Sequence, residues 1–375
     1  MKFGFNRKKK YNQHLYTYQH MKHAQVQKSN KKILMLVGGV ASLLVVGVLA
    51  GVFYQQTKPA KPVETTKKQA KPKAKTETKP IPLTANTKHA IVLDAKTGKV
   101  LGEKDSDTLV GIASQSKLLT SYQVLKQIKA GKLHWEDKVK ISQKEDWSQK
   151  DNDLYAHLSI HEGQEVPIKD LFNAMYTNSA NDAALALADY LTPKNMTQQQ
   201  ALQLWAKELK LTGSTWYNSA GQVNEDAFDY QLKNESNKAE NKATVRQLAL
   251  LAKKNIDLYP KLRNLYLNEE KTLYYHPDGE EKMKRTEFAR LKEDIMPHLQ
   301  NPLELTFEGL KTGSTPNSGG AFTGLMKDKT GREYITVVSG SGAYTNRSQR
   351  YQDTIDVVNE VIAKGNRSYF NPVSQ

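Results

Sequence analysis

The sequence predicts an α/β protein of the α+β kind, in which one antiparallel sheet is built from both ends of a large domain. Three observations support this class. Residues 89–104 alternate apolar and polar side chains around an Asp-Ala-Lys-Thr-Gly turn, which is typical of two paired strands. Strand-like runs return from about Leu305, and the segment between carries helical periodicity. We therefore expect helices on the sheet and a helical subdomain inserted roughly over residues 135–300.

A transmembrane helix is predicted ahead of this domain. Residues 33–54 form an uncharged run of 22 residues, which as a helix would be about 33 Å long against a hydrocarbon core of about 30 Å. We interpret it as a signal-anchor. The rival interpretation is a cleaved signal peptide, with Val48-Leu49-Ala50 as the cleavage site.

The charge of the chain is concentrated before the predicted domain. Residues 1–88 hold 18 Lys and Arg against 2 Asp and Glu, whereas residues 89–375 hold 37 of each. A neutral body lacks the electrostatic footprint of a protein that binds phosphate backbones, so we exclude nucleic acid as a partner. The absence of cysteine excludes disulfides, cysteine zinc sites and iron–sulfur clusters.

The chain is divided into four parts by these features. Residues 1–32 are interpreted as a cytoplasmic basic tail, because the Lys and Arg counts near the span do not choose a side but Arg7 to Lys10 favours the cytoplasm. Residues 55–88, with five prolines and nine lysines, are predicted to be an extended linker. This linker is either a solvated spacer or a basic strip that contacts anionic lipid or wall polymer. The domain proper is predicted over residues 89–375.

The elements of the domain follow in order. The apolar spacing predicts a helix from about Ser114 to Ala130, two helices over 168–191 joined at residues 177–179, and a helix over 244–260. Residues 192–300 are predicted to be mostly helical and polar. Three strands are then expected from about Leu305, and a last helix from Asp353 to Gly365 closes the chain.

A serine and a lysine lie one helical turn apart at the start of the first predicted helix. Ser114 and Lys117 form a Ser-x-x-Lys pattern, so both side chains share a face. A serine hydroxyl becomes a good nucleophile when a neighbouring base takes its proton, and a lysine can serve if burial or nearby positive charge keeps it partly neutral. Ser29 to Lys32 matches the same pattern beside the predicted span, so the pattern alone is weak.

Two further motifs are candidates for the same site. Ser179 and Asn181 form a Ser-x-Asn between two predicted helices, where they either face a cleft or cap the second helix. Lys-Thr-Gly occurs three times. The copies at Lys96 and Lys329 lie between alternating apolar runs and are predicted to be hairpin turns. The copy at residues 311–313 ends a strand-like run and is the one predicted to bind an anion.

The three motifs in this order resemble the signature of penicillin-binding proteins and class A β-lactamases. The chain is most similar to the D-alanyl-D-alanine carboxypeptidases, over roughly residues 89–365. The resemblance includes the segments AIVLDAKTGKVL, IASQSKLLTSYQVL, LFNAMYTNSANDAALALADYL, NSAG (Asn218 to Gly221) and EGLKTGST. It implies a β-lactamase/transpeptidase-like fold.

The resemblance also implies the role of each site residue. Ser114 would be acylated, Lys117 would take its proton, and Ser179 would relay a proton to the leaving amine near Lys311. The substrate would be held by Asn181 and by the strand residues Lys311, Thr312, Gly313, Ser314 and Thr315. The backbone N–H groups of Ser114 and Ser314 would form the oxyanion hole. No metal or organic cofactor is implied.

The chain departs from the family pattern at three points. Ile112 stands where the family usually has proline, and 132 positions separate Ser179 from Lys311, which predicts an insertion that reshapes the cleft. The chain also ends about sixty residues past Lys311, which leaves no room for the C-terminal β-domain and anchor of many members, so we expect the N-terminal span to do the anchoring.

The predicted function is a membrane-anchored serine D-Ala-D-Ala carboxypeptidase outside the cell, single-pass, that acts on peptidoglycan stem peptides ending in D-Ala-D-Ala. β-Lactam antibiotics would be covalent inhibitors. A transpeptidase that passes the acyl group to an amine remains open. A β-lactamase is disfavoured, because we find no Glu-x-x-Leu-Asn between the second and third motifs. A wall-binding protein without turnover is the non-enzymatic alternative.

Overall fold

The computed structural model describes residues 79–151, 154–270, 272–275 and 281–369. Contacts divide the chain between Ala74 and Lys75 into two units, and all described residues belong to the second. The predicted basic tail and the predicted span over residues 33–54 lie outside the described residues. Among the residues that are described, no helix is long and apolar enough to cross a membrane.

The strands are β1 (Ile81–Pro82), β2 (His89–Asp94), β3 (Val100–Lys104), β4 (Val110–Gly111), β5 (Lys138–Lys140), β6 (Glu165–Pro167), β7 (Lys242–Ala243), β8 (Thr272–Tyr275), β9 (Glu281–Lys284), β10 (Thr306–Thr315), β11 (Gly319–Lys327) and β12 (Glu333–Ser339). The helices are α1 (Lys117–Lys129), α2 (Ile168–Thr177), α3 (Asn181–Leu191), α4 (Gln198–Glu208), α5 (Val245–Leu258), α6 (Leu262–Tyr266), α7 (Glu287–Arg290) and α8 (Gln349–Tyr369). A 3-10 turn over Ala113–Ser116 leads directly into α1.

The main sheet joins the two ends of the domain, as the sequence predicts. Its six strands run in the order β1-β3-β2-β12-β11-β10. β1 is parallel to β3, and the other neighbours are antiparallel. Strand β10, which carries the third motif, therefore lies at one edge of the sheet.

The two faces of the sheet bury different helices. Along β2, Ile91 and Leu93 belong to one apolar cluster with residues of α1 and α5, whereas Ala90 and Val92 belong to a second cluster with residues of α8. This alternation is the period-two pattern of a strand that is covered on both sides. The layered packing fixes β10 beside the turn at Ala113–Ser116.

The domain begins before His89, which corrects the boundary predicted for the linker. Ile81 and Pro82 pair with Gly102 and Glu103 of β3, and Leu83 is buried in the cluster beneath α8. The apolar side chains at positions 81 and 83 give this stretch a surface to bury, which the lysine-rich residues before it lack.

A hairpin replaces part of the predicted helical region. Strands β8 and β9 pair antiparallel within residues 272–284, where the sequence predicts mostly helix. The sequence Thr-Leu-Tyr-Tyr of β8 is rich in β-branched and aromatic residues, which favour a strand. The inserted region also includes the antiparallel pair of β5 and β6, so it is mixed rather than purely helical.

Candidate active site

The centre of the candidate site is the turn that precedes α1. Ala113 has a positive φ of 45°, and the bend brings Ser114 to the surface of the cleft while Lys117 enters the first turn of the helix. The side-chain nitrogen of Lys117 lies 2.8 Å from Ser114 Oγ. The Ser-x-x-Lys pattern therefore brings a hydroxyl and an amine into direct contact.

Lys117 is buried among polar partners. Its side chain is 1% exposed, and Nζ also lies 2.8 Å from Asn181 Oδ1 and 2.7 Å from the carbonyl oxygen of Ala220. Burial and the positive charge of Lys311 hold the pKa of Lys117 well below its usual value, against the opposing charges of Glu287 and Asp182. The amine is therefore favoured over the ammonium more than in an exposed lysine.

The three partners suit a neutral amine. Asn181 Oδ1 and the Ala220 carbonyl can only accept hydrogen bonds, whereas the Ser114 hydroxyl can donate or accept. A neutral amine can donate its two N–H groups to Asn181 Oδ1 and the Ala220 carbonyl, and its lone pair is then free to accept the hydroxyl proton. This arrangement is what a general base needs in front of a nucleophile.

The segment Asn218–Gly221 forms the floor of the site. Asn218 Oδ1 accepts hydrogen bonds from the N–H groups of Gly221 at 2.8 Å and Gln222 at 3.0 Å, which turns the Ala220 carbonyl towards Lys117. Ser114 Oγ lies 3.4 Å from the same carbonyl oxygen. The sequence resemblance includes this segment but assigns it no role.

The Ser-x-Asn motif lies in the bend between α2 and α3. Ser179 has a positive φ of 57°, which is strained for a residue with a Cβ. The capping alternative for Ser179 and Asn181 is wrong, because the residue that caps α3 is Ala180 and no side chain closes a cap there. Among the hydrogen bonds of the described residues, it is Asn181 and not Ser179 that reaches Lys117.

A buried carboxylate holds the loop opposite this bend. Asp182 accepts hydrogen bonds from the N–H groups of Leu158 and Ile160, and the Asn181 N–H donates to the Ala156 carbonyl at 2.7 Å. Burial raises the pKa of Asp182 to about 6, although these backbone donors oppose the shift. The loop thereby fixes the start of α3 and with it the position of Asn181.

The third motif lines the edge strand. Lys311 is 1% exposed, and its Nζ lies 3.3 Å from the Thr312 carbonyl oxygen. Burial lowers the pKa of Lys311, and the charges of Arg350 and Arg290 act in the same direction, whereas Glu287 opposes them. The two copies at Lys96 and Lys329 lie in exposed turns, which confirms the turns predicted for both.

Gly313 lets the strand approach the nucleophile turn. A Cβ at this position would lie 2.8 Å from the Ile112 carbonyl oxygen and 3.1 Å from the side chain of Gln115. Only a residue without a side chain fits this close approach of two backbones. The edge of β10 therefore borders Ser114 directly.

The last two residues of the strand are held from outside the cleft. Ser314 Oγ accepts a hydrogen bond of 2.8 Å from Arg350 Nη1, which also donates to the Gly313 carbonyl at 3.1 Å. Thr315 Oγ1 donates to Glu240 Oε2 at 3.0 Å. These contacts fix the backbone of β10 where Ser314 and Thr315 border the site.

Glu287 completes the surroundings of the strand, and the sequence gives no sign of it. Its carboxylate accepts a hydrogen bond from the Thr312 hydroxyl. Burial raises the pKa of Glu287, but the charge of Lys311, followed by Arg290, the Thr312 hydroxyl and Arg350, lowers it to about 2. Glu287 lies in the polar insertion, 24 positions before Lys311, and no local pattern marks it. No local pattern marks Ala220 or Arg350 either, although Ala220 lies in the segment NSAG that the resemblance includes.

Comparisons with known proteins agree with this architecture. A family model described as D-alanyl-D-alanine carboxypeptidase matches residues 73–342. The Escherichia coli D-alanyl-D-alanine carboxypeptidase DacC is 28% identical over 231 residues, which cover 61% of this chain and 50% of that protein. The chain thus spans about half the length of this curated relative.

Two solved structures show the same fold. A Streptococcus pneumoniae peptidoglycan synthesis regulatory factor, PBP3, superposes with a TM-score of 0.63 at 26% identity, over 75% of this chain and 74% of that one. Penicillin-binding protein D2 of Listeria monocytogenes, solved in a cefotaxime-bound form, has a TM-score of 0.53 at 24% identity, over 75% of this chain and 98% of that one. The family match over residues 73–342 shows that the chain belongs to the D-alanyl-D-alanine carboxypeptidase family.

Proposed function

We propose that the protein is a serine D-Ala-D-Ala carboxypeptidase that removes the terminal D-alanine from peptidoglycan stem peptides. The observation that carries this proposal is the contact of 2.8 Å between Lys117 Nζ and Ser114 Oγ, made by a buried lysine whose pKa is lowered. Membership of the family supports the same reaction class. The bond attacked is the amide between two D-alanines.

Acylation begins at Ser114. Its Oγ attacks the carbonyl carbon of the amide while its proton passes to Lys117 Nζ. The negative charge that develops on the carbonyl oxygen is stabilised by the backbone N–H groups of Ser114 and Ser314. The C–N bond then breaks, and the nitrogen of the departing D-alanine takes the proton that Lys117 accepted, relayed through Ser179, which leaves Lys117 neutral again. The product is an ester on Ser114.

Deacylation uses the same groups with water as the nucleophile. A water molecule attacks the ester carbonyl and gives a proton to Lys117, which returns a proton to Ser114 Oγ as the ester bond breaks. The shortened peptide leaves with a new carboxylate. No metal or organic cofactor enters either step.

The substrate is proposed to lie along β10. An extended peptide can add to the free edge of a sheet through its backbone, and β10 is an edge strand of the main sheet. Gly313 keeps this edge open, with Ser314 and Thr315 bordering the peptide, and Asn181 holds the substrate amide on the other side. Lys311 and Thr312 are proposed to bind the terminal carboxylate.

β-Lactam antibiotics are proposed to react with the same serine. Ser114 Oγ would open the strained lactam amide, and the nitrogen that leaves would remain tethered to the acyl group. Because the leaving group cannot diffuse away, the ester would block the site to water and persist. This proposal places antibiotics at the site as covalent inhibitors.

The site is proposed to act outside the cell membrane, where peptidoglycan lies. The uncharged run over residues 33–54 has the length of a single transmembrane helix, and the basic residues from Arg7 to Lys10 favour a cytoplasmic start. The proline- and lysine-rich residues that follow would extend the catalytic domain from the membrane surface.

The test uses the full chain and its Ser114→Ala variant. Each is incubated with benzylpenicillin, the intact mass is followed over time, and D-alanine release from a peptide ending in D-Ala-D-Ala is measured. We expect a stable adduct on the parent alone, together with D-alanine release. An adduct that disappears in seconds while penicillin is consumed would indicate a β-lactamase. Release that requires an added amine would indicate a transpeptidase. Neither adduct nor release would indicate a non-catalytic wall-binding protein.

A further inference from the structure

A single short segment of the insertion contacts both sides of the candidate site. The carbonyl oxygen of Arg285 accepts a hydrogen bond of 3.4 Å from Asn178 Nδ2, beside Ser179. Two residues later, the carboxylate of Glu287 accepts one from the Thr312 hydroxyl on β10. The segment therefore reaches from the Ser-x-Asn bend to the edge strand.

The contact with Glu287 uses the only proton that Thr312 has to offer. A threonine hydroxyl has one O–H donor, and its two lone pairs can only accept. While that proton is donated to Glu287, the hydroxyl cannot donate to a second carboxylate. Thr312 cannot bind the terminal carboxylate of a substrate in the state that the structure presents.

The charges around Glu287 are those that an incoming carboxylate would need. Lys311, Arg290 and Arg350 all act on its carboxyl group and lower its pKa to about 2. Among the described residues that act on this position, the three cations outnumber the single carboxylate of Glu287, so the position keeps an attraction for a second anion. As a whole residue, Glu287 is only partly buried.

We propose that Glu287 occupies the position of the substrate's terminal carboxylate in the free protein, and that the substrate must displace it from Thr312 to bind. Glu287 is then a specificity-determining residue, because it lowers the affinity for peptides with a free carboxylate but not for peptides without one. This inference rests on the proposed function, in which Thr312 and Lys311 receive that carboxylate.

A structural role for Glu287 makes the opposite prediction. If the carboxylate serves only to keep Lys311 charged and Thr312 in place, its removal would weaken both acylation and binding for every substrate. If it competes with the substrate, its removal strengthens binding and does so only where the substrate has a terminal carboxylate. The structural role and the competing role are therefore distinguished by the direction in which KM changes and by whether the change is confined to substrates with a terminal carboxylate.

The experiment compares the full chain with Glu287→Gln, which keeps the side-chain size and removes the charge. D-Alanine release is measured from a D-Ala-D-Ala peptide, and release of D-alanine amide from the same peptide with a carboxamide end. We expect KM for the free acid to fall about tenfold with kcat nearly unchanged, as for the loss of one charge-assisted hydrogen bond. KM for the amide should not change.

The matched control is Glu293→Gln on the same segment. Glu293 pairs with Arg285 at 2.9 Å on the surface, away from Thr312, so its loss should alter neither KM. Glu287→Ala provides a second variant, and the thermal midpoint of each protein shows whether it is folded. A parallel loss of activity on both peptides, or an unchanged KM for the free acid in an active Glu287→Gln protein, overturns the inference. A parent that neither releases D-alanine nor reacts with benzylpenicillin overturns the proposed function together with it.

Discussion

A Cβ on Gly221 would lie 1.9 Å from the carbonyl oxygen of Ala113. The nucleophile turn and the segment that carries the Ala220 carbonyl are therefore in contact through their backbones. Gly221 also has a positive φ of 79°, which residues with side chains avoid. The position of the Ala220 carbonyl oxygen beside Lys117 Nζ depends on this backbone contact.

Gly221→Ala should destabilise the domain and reduce acylation. Overlap and backbone strain together are expected to lower the free energy of unfolding by about 3 kcal/mol, as measured by urea denaturation. Gly163→Ala is the control, because Gly163 has a φ of 80° with nothing within 4 Å of the added Cβ; strain alone should cost about 1 kcal/mol there. Equal losses in both variants would mean that the close approach contributes nothing.

Lys117→Met should abolish acylation without unfolding the protein. Methionine has a similar length and no base, so we expect the rate of acylation by benzylpenicillin to fall about 10²–10⁴-fold. Stopped-flow or intact-mass measurements give the rate, and circular dichroism reports the fold. Lys126→Met is the control, because Lys126 lies on the same helix and pairs with Glu208 at the surface. A Lys117→Met protein that keeps most of its rate would require another base.

The rate of acylation by the parent should rise with pH through the pKa of Lys117. The ammonium cannot accept a proton, so activity increases as Lys117 loses its own. Burial and Lys311 hold this pKa well below 10.5, so the rise should occur at correspondingly lower pH. The measurement is the second-order rate with benzylpenicillin across pH. A rise centred at or above 10.5 would contradict the assignment of Lys117 as the base.

The three Lys-Thr-Gly copies should differ in their effect on acylation. Lys311→Ala removes a buried charge beside Lys117 and should slow acylation about 10–100-fold. Lys96→Ala and Lys329→Ala change exposed turns, where Lys329 pairs with Glu304 at 2.8 Å, and should leave the rate unchanged. The measurement is the acylation rate of the three variants under the same conditions. Similar losses of rate in all three would contradict the role proposed for β10.

The sequence could predict what depends on local pattern. Strand alternation located β2, β3 and β10 to β12, and the spacing of Ser114 and Lys117 predicted a shared helix face because one turn separates them. It could not predict the contacts of Lys117 with Ala220 or of Thr312 with Glu287. Those pairs are joined by loops whose paths depend on the packing of the whole domain, and a lone glutamate in a polar segment resembles any surface residue.

Short strand signals in two places were also outweighed by the composition of the residues around them. The polar composition of residues 192–300 favoured helix, and the β-branched and aromatic residues of β8 were too few to oppose it over a wide window. Ile81 and Leu83 were assigned to the linker because lysine and proline surround them. Their burial depends on β3 and α8, which are distant in sequence.

His157 should stay neutral until the pH approaches 4. Its Nδ1 accepts a hydrogen bond from the Ser159 N–H at 3.0 Å, and Nε2 lies 3.0 Å from the Lys150 carbonyl oxygen, so the neutral ring protonated on Nε2 satisfies both. Burial lowers the pKa of His157 to about 4, against the Lys150 hydrogen bond. Heteronuclear NMR of the histidine rings, assigned with a His157→Gln variant, measures this pKa directly.

The same shift makes the stability of the domain depend on pH. Between pH 6.5 and 4 His157 is protonated in the unfolded chain but neutral in the native protein. The stabilisation is therefore present above pH 6.5 and is lost as the pH falls towards 4. The loss from pH 7 to pH 5 should be about 2 kcal/mol, obtained as the difference between the parent and His157→Gln in urea unfolding. Because His157 follows Ala156, whose carbonyl accepts the Asn181 N–H, acid should also loosen the start of α3. A difference that does not change between pH 7 and pH 5 would mean that His157 titrates alike in the native and unfolded chains.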